Sequence, residues 1–156
     1  MPARDAPAVV VPVRLQKRIP TIEHPQGPVS EVESAGGQAG DLSQGETLWV
    51  FVSEFGSEDG SDDRDFYLQP GPCIIKDDRT WSCGEVYIGE NPGDKAHVWV
   101  VRADSRRTDE FVRMWQDPLL WDSDTNTPNP ENDARRYPAL PAGVVASERP
   151  LLATRR

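Results

Sequence analysis

No apolar run in this chain is long. The best, Leu48-Trp49-Val50-Phe51-Val52, covers five residues, preceded by β-branched Thr47 and ended by Ser53 and Glu54. Gly, Pro, Asn and Asp interrupt the rest of the chain, which holds 15 Pro and 12 Gly in 156 residues. A membrane span needs about 20 consecutive apolar residues, and a core helix wants about 10–12 residues of regular period. Strands are complete at about 3–10 residues. The punctuation therefore predicts many short strands joined by turns.

Several segments meet that description. Val29–Ser34 reads as a weak strand ended by Gly36-Gly37, and Phe66-Tyr67-Leu68 as a short strand stopped by Pro70-Gly71-Pro72. Thr47–Val52 and His97–Val101 are rich in β-branched and aromatic residues, the composition that suits a pleated, half-buried surface. A last strand is expected within Val144–Thr154, where Pro150 confines it to an edge or a bulge. One segment changes period. Thr108 reads as an N-cap, Asp109 and Glu110 suit the first turn, and Phe111, Met114 and Trp115 then share a face until Pro118. The expectation is mainly β: an antiparallel immunoglobulin-like β-sandwich of about seven strands, with one short helix near 108–117. Residues 1–18, with Pro2, Pro7 and Pro12, read as a flexible arm, and 19–156 as the sandwich domain.

The cysteines allow a geometric expectation. If Asp77-Asp78-Arg79 is a three-residue hairpin loop, Lys76 faces Thr80, Ile75 faces Trp81 and Ile74 faces Ser82. Cys73 then lies opposite Cys83, where a non-hydrogen-bonded pair separates Cα atoms by about 4.5 Å, within disulfide range. The alternative is two half-buried thiols.

Charge narrows the partners. The net charge is −9, and six acids against Arg64 fall within residues 54–65. Phosphate backbones demand Lys and Arg, so nucleic acid and anionic membranes are not expected partners. Residues 1–18 lack the 7–15-residue apolar stretch of a secretory signal. That favours a cytoplasmic protein, with an extracellular place reached by another route as the alternative.

Leu48-Trp49-Val50-Phe51-Val52, Tyr67-Leu68-Gln69-Pro70-Gly71-Pro72-Cys73, and Thr80-Trp81-Ser82 leading to Val86-Tyr87-Ile88-Gly89 resemble bacterial immunoglobulin-like or fibronectin-III-like accessory β-sandwich domains. The resemblance runs from about Ile19 to Arg155 and lies in strand and turn texture. It implies a non-catalytic module for spacing, adhesion or ligand binding. The turn Asp77-Asp78-Arg79 departs from it by lacking a Gly.

Three site classes remain. Alternation places Leu48, Val50 and Val52 on one strand face with Trp49 and Phe51 on the other. It likewise opposes Val86 and Ile88 to Trp81, Cys83 and Tyr87, and Val98 and Val100 to His97 and Trp99. With the aliphatic set inside, Trp49, Phe51, Trp81, Tyr87 and Trp99 form a candidate ligand-binding face for a protein partner or a carbohydrate. Alternatively these aromatics are core, or the Phe111 helix covers them. Asp122, Asp124, Asn126 and Asp133 fit calcium-loop positions 1, 3, 5 and 12, although Thr127 stands where the loop needs Gly. No cofactor other than that weakly matched calcium is expected. No nucleophile elbow, phosphate loop or zinc-helix motif is present, so the expected function is a non-catalytic module binding a protein partner. A carbohydrate-binding module is the alternative, and a carboxylate-dependent hydrolase a more distant one.

Overall fold

The computed structural model describes residues 17–55, 65–89, 92–116, 121–122, 127–128 and 136–156. In chain order the elements are β1 (Gly27–Val29), β2 (Val32–Gln38), β3 (Thr47–Phe55), β4 (Phe66–Leu68), β5 (Ile74–Ile75), β6 (Thr80–Tyr87), β7 (Lys95–Ala103), α1 (Ser105–Gln116), β8 (Trp121–Asp122), β9 (Thr127–Pro128), β10 (Arg136–Tyr137), β11 (Val144–Ala146) and β12 (Leu151–Arg155). The fold is mainly β, as the short punctuated runs predict.

The two densest apolar strands pair with each other. β3 and β7 run antiparallel over their full lengths, from Thr47 opposite Ala103 to Phe55 opposite Lys95. They form the centre of a seven-stranded sheet ordered β1-β12-β7-β3-β4-β10. β11 and β12 follow one another along the same edge of β7. Pro150 stands between them, so the segment Val144–Thr154 is two strands and not one. β1 pairs with β12 in parallel, the exception to an otherwise antiparallel arrangement. A second sheet has the order β2-β6-β5, and β8 and β9 form a separate ladder.

Period-2 alternation on β3 and β7 builds three layers. Leu48, Val50, Val52, Val98 and Val100 face the small sheet and pack with Ala35, Trp81, Cys83, Val86 and Ile88. Trp49, Phe51, Val101 and Ala103 face the other way and pack beneath Phe111 of α1. Each such aliphatic or aromatic side chain removed from water stabilises the fold by roughly 1.5–3 kcal/mol. The inner core is thus the aliphatic set expected from the sequence, and the helix forms the third layer.

α1 begins a turn earlier than Thr108. Asp104 is the cap: its Oδ1 accepts the Arg107 N–H at 2.8 Å, and its carbonyl accepts the Thr108 N–H at 2.8 Å. Such a cap contributes about 0.5–2 kcal/mol. Thr108 instead turns its hydroxyl to Thr47, 2.7 Å away. The cap is fastened to the β11 side, because Asp104 donates its N–H to the Gly143 carbonyl and Arg107 Nε donates to the Ala142 carbonyl.

Two local features depart from simple alternation. β2 does not end at Gly36-Gly37 but runs through them to Gln38. A Cβ on Gly37 would meet the Thr21 carbonyl oxygen at 2.1 Å, and one on Gly36 would meet the His24 ring at 2.4 Å. The glycines are there to let residues 21–24 lie against the strand. On β6 the register slips: Glu33 faces Val86 but Ala35 faces Cys83, leaving Gly84 and Glu85 opposite Ser34. One extra residue on a strand is a β-bulge, and it reverses the parity of β6. Trp81 and Cys83 therefore point into the same core as Val86, contrary to uninterrupted alternation.

The end of the sandwich is closed by charge. Arg102, on the inward side of β7, is buried and donates from Nη1 to the Arg18 and Asp41 carbonyls, both at 3.2 Å. Its Nε lies 3.7 Å from Glu46, which also pairs with Lys17.

Candidate functional site

The five aromatics expected to make an outward face are not together. Trp49 and Phe51 are 0% exposed beneath α1, with Phe111 edge-on at centroid distances of 5.3 and 5.7 Å. Trp81 is buried between the sheets, donating Nε1–H to the Thr21 carbonyl at 2.7 Å. Tyr87 is half-buried on the small sheet, and Trp99 is half-buried on the far face of the large one, tilted against Phe66 at 6.4 Å. The exposed aromatic row is thus corrected. The helix covers one part of it, and the β6 bulge turns Trp81 inward. The calcium candidates Asp122, Asp124, Asn126 and Asp133 lie outside the described residues, apart from the backbone of Asp122 in β8. Among the described residues no group of three or more His, Cys, Asp or Glu could hold a metal ion. Nor is any described helix long and apolar enough to cross a membrane.

The cysteine hairpin has the register its sequence predicts: Ile74 faces Ser82 and Ile75 faces Trp81. Cys73 and Cys83 are joined by a disulfide with Cα atoms 4.6 Å apart, the spacing of a non-hydrogen-bonded pair. The chain reaches this point along the large sheet. Gln69 donates to the Val50 carbonyl and Cys73 to the Leu48 carbonyl, at 2.9 and 2.8 Å. The disulfide consequently ties the edge of β3 to the central strand of the small sheet.

The loop is held although it lacks the expected Gly. Arg79 occupies the left-handed region, φ 70°, a conformation that disfavours L-residues. Its Nη2 donates to the Gly40 carbonyl at 2.6 Å, and its carbonyl accepts the Ala39 N–H at 2.9 Å. Asp78 Oδ1 accepts both the hydroxyl and the N–H of Thr80, at 2.6 and 3.0 Å. Those two bonds, the hydroxyl's first, hold the Asp78 carboxyl below its ordinary pKa of 3.8.

This braced hairpin presents an apolar edge. Ile74 is 68% exposed and Ile75 39% exposed on β5, the terminal strand of its sheet. Lys76 donates to the Thr80 carbonyl at 2.8 Å. Alternation of bonded and unbonded pairs then turns the Ile75 N–H and C=O away from β6, toward the side of β5 that pairs with no strand among the described residues. Exposed Lys76, Asp77, Asp78 and Arg79 border it. The sequence carries no clear signal for this edge: two consecutive isoleucines in a strand face opposite sides, and both sides can be covered, as at Leu48–Val52.

Comparison of the chain with protein families, curated proteins and solved structures finds no match.

Proposed function

We propose that this β-sandwich is a non-catalytic interaction module and that a partner protein adds an extended segment along β5. The observation that carries the reading is the exposed Ile74–Ile75 edge on a hairpin braced by the disulfide. Strand addition draws affinity from main-chain hydrogen bonds and specificity from alternate side chains. The Ile75 backbone offers the first and the two isoleucines the second. Natural sheets blunt exposed edges with charge, Pro or coverage. Here the charges stop at Lys76, and two isoleucines precede them. The carbohydrate reading rested on an outward row of aromatics; with Trp49, Phe51 and Trp81 buried, no comparable observation supports it.

The test is in-cell cross-linking in the native host, comparing the wild type with an Ile74→Asp/Ile75→Asp variant. Surface substitutions usually alter stability by no more than about 0.5 kcal/mol, and far-ultraviolet circular dichroism checks that the variant folds. Partner proteins cross-linked to the wild type and lost from the variant are the expected result. An identical partner set would refute the proposal.

A further inference from the structure

We infer that a disulfide-donating partner installs the Cys73–Cys83 bond outside the reducing cytosol, before the sandwich closes. Both cysteines are buried, at 7% and 3% exposure. Cys83 lies in β6 opposite Ala35 of β2, within the core that Leu48, Val50 and Val98 complete. Thiol–disulfide exchange needs a thiolate that can reach the donor's sulfur. The closed sandwich gives neither cysteine that access.

The chain order supplies the time at which access exists. The cysteines are ten residues apart, on the two arms of one hairpin. Closing a short loop is faster than pairing distant strands. The β5–β6 hairpin can therefore bring the thiols together before β3 finds β7. One cysteine thiolate attacks the donor's disulfide, making a mixed disulfide and releasing one donor thiolate. The second cysteine thiolate then attacks the protein sulfur of that mixed disulfide and expels the other. Two electrons pass from the protein to the donor. The two thiol protons end on the donor, which leaves as a dithiol.

The bond also points to a compartment. Glutathione and thioredoxin systems keep cytosolic thiols reduced, and lasting structural disulfides belong to oxidising spaces. A disulfide buried in the core, bridging a hairpin whose Cys73 N–H also donates to the Leu48 carbonyl of the large sheet, is structural in position.

Two measurements test this. Full-length protein from its native host is fractionated, acid-quenched, treated with N-ethylmaleimide in denaturant and weighed intact. The expected result is no adduct and a mass two hydrogens below the reduced chain, in an envelope or secreted fraction. Two adducts, or bridged protein in the cytosolic fraction, would overturn the inference. Separately, the reduced chain is oxidised with glutathione disulfide in urea and after refolding. Oxidation at least about tenfold slower after refolding is expected where access is blocked. A reduced chain that stays unfolded until oxidised supports the same order. Equal rates in a refolded chain would overturn it.

Discussion

Phe111→Ala tests whether α1 is part of the core. Phe111 is 0% exposed and meets three aromatic rings: Trp49 at 5.3 Å, Phe51 at 5.7 Å and Tyr137 at 6.2 Å. Removing a buried Phe side chain costs about 3–5 kcal/mol, the cavity included. The upper half applies here, because each edge-on pair contributes about 0.5–1.5 kcal/mol beyond area, and the rigid sheet beneath cannot collapse into the hole. A domain has only about 5–15 kcal/mol in total. For a chain of this size a loss of about 4–5 kcal/mol should lower the melting temperature by about 8–20 °C. Urea unfolding followed by tryptophan fluorescence gives the free energy, and acrylamide quenching gives access to Trp49. A loss below about 1 kcal/mol, with quenching unchanged, would refute the layer in which Phe111 seals Trp49 and Phe51.

Other consequences follow from the same contacts. Loop-closure entropy for the ten-residue separation of Cys73 and Cys83 makes the double Cys→Ser variant less stable by about 2.7 kcal/mol; calorimetry of the two forms measures it. Gly37→Ala should cost about 1–3 kcal/mol through overpacking against Thr21. Gly84→Ala, with nothing within 4 Å of a new Cβ, should stay within about 1 kcal/mol of the wild type in the same denaturation assay. Burial opposes the charge on Glu46, but Lys17, the Ser43 N–H and Arg102 outweigh it and hold its carboxyl below the usual 4.5. Its contribution is complete above that value and is lost as pH falls through the lower folded pKa; Glu46→Gln should flatten the acid limb of a stability–pH curve. Burial, with Glu110 adding to it, pushes the Tyr137 phenol up to about 12. Ultraviolet titration should show a late phenol that Tyr137→Phe removes. Stability linked to this phenol is present below pH 10 and is lost as pH rises through about 12.

Much of the architecture follows from local rules, and the departures have physical causes. The register of the β5–β6 hairpin was readable because a three-residue loop leaves one pairing for its arms. Phe66–Leu68 has the bounds its flanking residues predict. The opposition of Leu48, Val50 and Val52 to Trp49 and Phe51 also holds, since a strand has one period. What alternation could not say is which face another element would cover, and α1 covers the aromatic one. Asp104 was readable as a cap, but Thr108 with Asp109 and Glu110 made a competing start. Gly84 was the sign of the bulge, for an isolated Gly inside a strand pattern often marks one. Reading β6 without the bulge sends Trp81 and Cys83 to the wrong side. The candidate edge at Ile74 and Ile75 is legible only in retrospect. Their exposure depends on β5 being terminal, a property of the whole sheet order.

The three-layer fold depends most on Trp49 lying between the large sheet and α1. A nuclear Overhauser spectrum of the full chain tests that placement directly. It predicts cross-peaks between the Trp49 indole and the Phe111 ring, 5.3 Å apart between centroids. It also predicts slow exchange of the indole N–H, which donates to Thr47 Oγ1 at 2.7 Å. A Trp49 indole without Phe111 cross-peaks, exchanging as fast as a free tryptophan, would contradict the three-layer fold.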